Sequence, residues 1–143
     1  MSRIGKAIIE IPEGVEINIA EDNVVSVKGK LGELSERINS DLGVTITDGV
    51  LEVTRPSESK EHKAHHGLSR ALIANMVEGV SNGYSIEQEL VGVGYRAKNS
   101  GQLLELALGF SHPIIFEVPS EVKVSTVSEK GKNPQIKLES MDK

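Results

Sequence analysis

The sequence predicts an α+β protein built as a tandem duplication, in which a small antiparallel β-sheet is covered by one α-helix and the second helix is missing from the chain. Three observations support this. Short runs of alternating apolar and polar residues fill most of the chain, one long helical pattern stands near its middle, and the strand–turn–strand order before the helix returns after it. We therefore predict one repeat at residues 1–82 and a second at residues 83–143.

Composition excludes several classes of protein. The chain has 143 residues, no cysteine and 38% apolar residues, so it has the material for a core but none for disulfides or thiolate metal sites. No apolar run approaches the ~20 residues that a membrane span needs. These features fit a cytoplasmic protein without a membrane. The net charge of −5 argues against nucleic acid, because phosphate binding draws on Lys and Arg.

The first repeat opens with Arg3 and Lys6, which we expect to lie on a short polar arm. Alternating runs then predict strands near residues 8–11, 15–19, 24–28, 34–38, 44–46 and 51–53. Asp48-Gly49 is typical of a hairpin turn, because both residues tolerate a positive φ.

Residues 56–83 predict the long helix. Pro56 and Ser57 favour its start, with Ser57 as the N-cap, and Asn82-Gly83 favour its end. The predicted apolar stripe recurs every four residues, at Ala64, Leu68, Leu72 and Met76, and Ala71, Ile73, Val77 and Val80 widen it into an apolar face.

Lys63, His66 and Arg70 follow one another at spacings of three and four on the side away from this stripe, and so predict a short basic ridge. Such a ridge is usually only solvated, but phosphate or an acidic partner surface would suit it. His62 and His66 lie one turn apart, a spacing that can hold a metal ion. No His-Glu-x-x-His pattern accompanies them, and we favour a solvated face with no metal.

The second repeat begins with a predicted strand over residues 84–97, with Gly92 and Gly94 inside it. These glycines match the loose pattern G-x-G-x-x-A. A dinucleotide site would need them to open a helix, whereas a turn over residues 98–102 is expected to follow, so we favour a strand with a bulge or a close backbone approach. Further strands are predicted near residues 104–108, 114–118, 122–124 and 136–138.

The tight loop Gly109-Phe110-Ser111-His112-Pro113 carries a hydroxyl and an imidazole. Adjacent residues rarely reach the geometry of a nucleophile and its base, and no Gly-x-Ser-x-Gly elbow occurs, so no catalytic residue is predicted. An ordinary turn and a donor of hydrogen bonds to phosphate or sugar remain equal alternatives.

The second repeat stops where its helix should begin. A small sheet with one apolar face needs a cover. We expect either a truncated chain or a face covered by another element or partner, and favour truncation.

Several stretches resemble one family in order: Ser2 to Pro12, Val27 to Ser35, Arg55 to Val80, Leu90 to Ala97, and Gly109 to Pro113. Together they are similar to the bacterial form of the sixth protein of the large ribosomal subunit. The resemblance implies two copies of a small sheet-and-helix fold, with a second helix and a basic tail beyond Lys143. It also implies binding to large-subunit rRNA near the stalk base and the docking region of GTPase translation factors, with ribosomal proteins as neighbours and without cofactor or catalysis.

Positions matched to this family imply contacts with rRNA. The residues are Tyr95, Arg96, Lys98, Ser111 and His112 in the second repeat, and Arg3 and Lys6 in the arm, with Lys63, His66 and Arg70 as a secondary contact. Phe110, where the family often has Tyr, and Ile8, where it often has Pro, depart from the pattern. The rival functions are a protein-binding module that uses a sheet edge, and a metal enzyme built on His62 and His66.

Overall fold

The computed structural model describes residues 3–143 and divides them into two compact units. One unit comprises residues 3–83 together with Met141–Lys143, and the other comprises Tyr84–Ser140. Each unit has its own hydrophobic core.

The first unit contains two helices and two three-stranded antiparallel sheets. Its elements are α1 (Arg3–Lys6), β1 (Ile9–Glu10), β2 (Glu16–Ile19), β3 (Val24–Gly29), β4 (Gly32–Arg37), β5 (Gly43–Thr47), β6 (Val50–Thr54) and α2 (Lys60–Ser81). One sheet has the strand order β2-β3-β4 and the other β1-β6-β5. The polar arm predicted around Arg3 and Lys6 is instead one turn of helix, and both side chains are exposed.

The turn between β5 and β6 confirms the hairpin predicted at Asp48-Gly49. Asp48 has φ 52° and Gly49 has φ 75°, and Thr47 pairs with Val50 across the turn. Two consecutive positive φ values give the turn a twist that matches the strands it joins.

Helix α2 packs one face against both sheets. The predicted apolar residues Ile73, Val77 and Val80 are buried there, but so is His66, whereas Leu68 is 55% exposed. The prediction of a stripe through Ala64 and Leu68 is therefore wrong in the first half of the helix. The fully buried side chains that form the centre of this core are Val25, Val27, Leu51, Val53, Ile73 and Val80.

The helix begins two residues later than predicted. Ser59, not Ser57, is the N-cap, and its hydroxyl accepts a hydrogen bond from the His62 N–H at 3.2 Å. The end agrees with the prediction, because Asn82 is the C-cap and Gly83 has φ 75°.

The second unit repeats the sheet topology of the first. Its strands are β7 (Tyr84–Glu89), β8 (Arg96–Ser100), β9 (Leu103–Ala107), β10 (Ile114–Glu117), β11 (Lys123–Val127) and β12 (Gln135–Ser140). The sheet β8-β9-β10 corresponds to β2-β3-β4, and β7-β12-β11 corresponds to β1-β6-β5. No helix occurs between Tyr84 and Ser140, and the predicted α+β duplication is confirmed.

Equivalent positions in the two units differ in burial. Ile9 pairs with Leu51 in the first unit, and the two are 6% and 0% exposed. Ile86 pairs with Leu138 at the equivalent place in the second unit, where Ile86 is 58% exposed. Leu51 belongs to the core that includes the buried face of α2, and no helix is available to the second sheet within its unit. The second sheet therefore leaves Ile86 exposed at the edge of its apolar face.

The strand predicted over residues 84–97 is wrong in its second half. Strand β7 ends at Glu89, and a turn that includes Gly92 and Gly94 separates it from β8. Gly94 has φ 77°, which ends the extended conformation there. The turn predicted at residues 98–102 is also displaced, because Lys98 to Ser100 belong to β8.

Neither helix in residues 3–143 is long and apolar enough to cross a lipid bilayer.

Candidate nucleic-acid interface

Two loops of the second unit lie side by side at one end of the β8–β9 pair. The first, residues 90–95, leads into β8, and the second, residues 108–113, leaves β9. Arg96, the first residue of β8, is paired with Ala107, the last residue of β9. Both loops are therefore attached at the same end of these two strands. Strand β10 begins at this same end, where Ile114 is paired with Leu106. We call residues 90–96 together with 108–113 the paired loops.

Tyr95 joins the paired loops. A Cβ built at Gly92 would lie 2.7 Å from the Tyr95 ring, and a Cβ at Gly109 would lie 3.6 Å from it. Only glycine at position 92 lets the ring lie this close to the backbone, since real Cβ atoms do not approach within 3.0 Å. The prediction that another backbone approaches these glycines is wrong: Gly92 is approached by the Tyr95 side chain, within a turn and not within a strand.

The second loop presents an aromatic pair to solvent. The Phe110 and His112 rings are nearly parallel, with an angle of 10° between their planes and 6.0 Å between their centroids. Phe110 is 64% exposed, and Ser111 and His112 are exposed as well. Exposed rings can stack on bases, and hydroxyl and imidazole groups can bond to sugar or phosphate oxygens.

The positive charge of this region comes from β8. Arg96 and Lys98 are both exposed and lie two residues apart, so their side chains leave the same face of the strand. Glu105 is directly opposite Lys98 on β9 and reduces the local positive charge. Arg96, at the end of the first of the paired loops, is therefore the better placed of the two cations for phosphate.

The structure thus brings five of the predicted contact residues into one region: Tyr95, Arg96, Lys98, Ser111 and His112. Arg3 and Lys6 lie in the other unit, on α1. The sequence interpretation missed two features of the region, the stacking of the Phe110 ring on His112 and the presence of Glu105. The aromatic-x-His spacing and the strand register would have indicated them.

The basic ridge predicted on α2 does not exist as a single solvent-facing line. His66 is only 4% exposed, and Arg70 is half-buried, with its Nε buried and without a hydrogen-bond partner among residues 3–143. Lys63 pairs with Glu58 at 3.2 Å. The ridge is wrong for His66, and contacts by Lys63 and Arg70 remain a prediction.

His66 fills the space between α1, α2 and β6. Its Nε2 lies 2.6 Å from the Val53 carbonyl oxygen, and its Nδ1 lies 3.0 Å from Arg55 Nη1. A Cβ at Gly5 would lie 2.5 Å from the same imidazole, so α1 packs directly against it.

The metal site considered for His62 and His66 has no support in this geometry. Both nitrogens of His66 are occupied by protein hydrogen bonds, and His62 bonds to Ser57 and Asp41. Across residues 3–143, no three His, Asp or Glu side chains are grouped so that they could hold a metal ion.

Comparison with known proteins agrees with the resemblance found in the sequence. The model of the family described as Ribosomal protein L6 matches residues 11–83. The protein named large ribosomal subunit protein uL6 from Parabacteroides distasonis is 58% identical over all 143 residues of this chain, which cover 78% of that relative. The chain belongs to the ribosomal protein L6 family.

Two more family members show the same coverage. The uL6 proteins of Christiangramia forsetii and Cytophaga hutchinsonii are 57% and 52% identical over the full chain, again 78% of each relative. These L6 family members are named as proteins of the large ribosomal subunit and not as enzymes, so the predicted family and the predicted non-enzymatic class are confirmed.

Proposed function

We propose that this chain is a structural protein of the cytoplasmic large ribosomal subunit, which binds 23S-type rRNA through the paired loops of its second unit. A single observation carries the proposal: a cation, an exposed aromatic pair, a hydroxyl and an imidazole lie together at one end of the β8–β9 strand pair. Membership of the L6 family supplies the class of partner. We further propose, from the resemblance in sequence, that the contact lies near the stalk base, close to neighbouring ribosomal proteins and to the GTPase factor docking region.

The contact would read RNA shape more than sequence. Arg96 and Lys98 offer charge to phosphates, while Ser111 and His112 offer hydrogen bonds to sugar and phosphate oxygens. The Phe110 and His112 rings offer a stacking surface for an unpaired base. Because the whole chain carries a net charge of −5, binding must depend on this local cluster and not on the overall field.

We expect Arg96→Glu with Lys98→Glu to weaken binding to a 23S-type rRNA transcript by at least about tenfold at ~0.1 M salt, because two attractive interactions with phosphate become repulsive. The dependence of log K on log salt should flatten by about 0.7–0.9 for each phosphate that is no longer neutralised. Filter binding or calorimetry across a salt series measures both quantities.

Lys123→Glu is the matched control. Lys123 is exposed and basic in the same unit, but lies at the end of β11 opposite Glu139, away from Glu89 and the loop that follows it. It should change affinity far less than Arg96→Glu. Equal effects at the two sites, or an unchanged salt dependence in the double variant, would contradict the assignment.

A protein-binding role for a sheet edge is the second candidate. Strand β10 is an edge strand of its sheet, and its Ile115 and Phe116 are 65% and 57% exposed. Such an edge can pair with a strand of another protein. Binding of this kind would be nearly independent of salt, so the same salt series separates it from rRNA binding.

A further inference from the structure

Three side chains from two distant segments meet just before α2 in the first unit. Ser57 Oγ lies 2.6 Å from His62 Nδ1, and His62 Nε2 lies 3.3 Å from Asp41 Oδ2. The hydroxyl, imidazole and carboxylate therefore form one hydrogen-bonded series. We call these residues the Ser57 cluster.

The direction of the hydrogen bonds follows from what each group can donate. An ionised Asp41 carboxylate has only acceptor oxygens, so the Nε2 that faces it carries the imidazole proton. Nδ1 of the neutral ring then holds a lone pair, and the Ser57 hydroxyl must donate to it. A serine hydroxyl that donates to an imidazole nitrogen, with a carboxylate on the other nitrogen, is the arrangement that activates a nucleophile.

Secondary structure holds both supporting residues. His62 is in the first turn of α2, and its backbone N–H is fixed by the N-cap Ser59. Asp41 lies in a turn whose ends are bound by the Asn23 amide, which donates to the carbonyl oxygens of Asn39 at 3.0 Å and Leu42 at 2.9 Å. The helix thus positions the imidazole beside Ser57, and Asp41, held in a hydrogen-bonded turn, fixes its orientation.

Ser57 is open to a reagent. It is exposed and follows Pro56, whereas the side chain of His62 is 23% exposed. The Ser59 N–H also lies 3.3 Å from Ser57 Oγ and donates to it. That donor stabilises negative charge on the oxygen as its proton leaves.

We propose that Ser57 is an activated nucleophile and a site of acylation, which takes an acyl group from an activated ester. Ser57 Oγ forms a bond to the acyl carbon, and the bond from that carbon to the leaving oxygen breaks. The Ser57 proton passes to His62 Nδ1, and the leaving group departs with the bonding electron pair and takes a proton from the imidazolium or water. His62 is the base, and Asp41 is a positioning residue that acts through it.

The proposal concerns one stoichiometric transfer and leaves the chain a non-enzymatic protein. It is independent of rRNA binding, since Asp41, Ser57 and His62 all belong to the first unit and the paired loops to the second. The competing explanation is that the Ser57 cluster only ties the segment before α2 to the helix.

The test uses the intact chain with p-nitrophenyl acetate as the acyl donor, and peptide mass spectrometry to follow acetylation at each residue. Ser111 is the internal control, because it is exposed and next to a histidine in sequence, but the Nδ1 of His112 lies 3.3 Å from the Pro113 carbonyl oxygen. We expect the rate constant at Ser57 to exceed that at Ser111 by at least about tenfold, since a positioned base contributes roughly 10²- to 10⁴-fold.

His62→Gln should reduce acetylation of Ser57 to about the rate at Ser111, with the helix content unchanged by circular dichroism. Asp41→Asn keeps the size and an acceptor oxygen but removes the charge, and should slow Ser57 several-fold while the acetylation of exposed lysines stays the same. A purely structural role would leave these rate constants unaltered. Equal rates at Ser57 and Ser111, or a wild-type rate at Ser57 in either folded variant, would overturn the proposal.

Discussion

Arg55 links an exposed carboxylate to a buried imidazole at the entry to α2. Its Nη2 bonds to Glu58 at 2.6 Å and its Nη1 faces His66 Nδ1 at 3.0 Å, while its own side chain is 7% exposed. A guanidinium has only donors, so Nδ1 of His66 must accept, and the ring proton on Nε2 donates to the Val53 carbonyl oxygen. The neutral tautomer of His66 is therefore set by its partners. This arrangement makes an imidazole suitable for a core.

The hydrogen bond from Arg55, followed by that from Lys63, lowers the pKa of Glu58 from 4.5 to about 2. Because the pKa is lower in the folded state than in the unfolded chain, ionised Glu58 contributes stability above about pH 4.5. That contribution is lost as the pH falls through the range from 4.5 to about 2.

We expect Glu58→Gln to lower the midpoint of urea unfolding at pH 6 and to have a smaller effect near pH 2.5, where the wild-type carboxyl is also becoming protonated. Glu58 is 70% exposed, so solvent screening keeps the effect modest. Glu61→Gln, in the first turn of α2, controls for the removal of one negative charge. A difference between wild type and Glu58→Gln that is constant over this pH range would contradict the pairing.

At the scale of elements, the end of α2 is held against the turn between β3 and β4. The Leu31 N–H donates to the Val80 carbonyl oxygen at 3.1 Å, and a Cβ at Gly29 would lie 2.7 Å from that same oxygen. Val80 itself is fully buried. The closeness of two backbones, and not a turn conformation, is what requires glycine at position 29.

Gly29→Ala should therefore reduce the free energy of unfolding by about 1–3 kcal/mol, because the new methyl group meets backbone that cannot move aside cheaply. Gly43→Ala is the control: its Cβ would meet the Thr54 hydroxyl oxygen at 2.6 Å, and that side chain can rotate. Chemical denaturation measures both. An equal decrease in the two variants would show that the close approach of Gly29 to Val80 is not the cause.

On the scale of the whole molecule, the chain has two cores that share no residue. The first contains Leu51 and Ile73 among its buried side chains, and the second contains Leu104 and Ile136. The second core is smaller, and apolar residues of the second unit such as Ile86 remain exposed. Stability is thus divided unequally between the units, although their sheets have the same strand order.

Substitutions in one core should act on its own unit. Ile73→Ala leaves a cavity in the first core and should reduce its free energy of unfolding by roughly 2–5 kcal/mol. We therefore expect faster hydrogen exchange in β3 and β6 and unchanged exchange in β8 and β9. Leu104→Ala is the reciprocal variant and should speed exchange in β8 and β9 alone. Exchange that accelerates equally in both units for either variant would show that the two cores unfold together.

Local patterns in the sequence were enough to predict the duplication, the Asp48-Gly49 hairpin, the end of α2 at Asn82-Gly83 and the family. The first three depend on residues close in the chain, whose periodicity or allowed φ values decide the structure. The family was identified from the resemblance of five stretches taken in order. The burial of α2 was decided differently. Ile73 and Val80 are buried as predicted, but in the first half of the helix Ala64 and Leu68 are exposed and His66 is buried instead.

Only the tertiary structure could decide which face of α2 is buried. A histidine is acceptable in a core once both of its ring nitrogens have hydrogen-bond partners, and the partners of His66 are Val53 and Arg55 on a preceding segment. The same is true of the paired loops, which meet because Arg96 and Ala107 are paired across β8 and β9. It is also true of Asp41, which precedes the β5–β6 hairpin in sequence but contacts His62, which follows that hairpin. Sequence periodicity shows which residues can be buried, whereas contacts between distant segments determine which of them are.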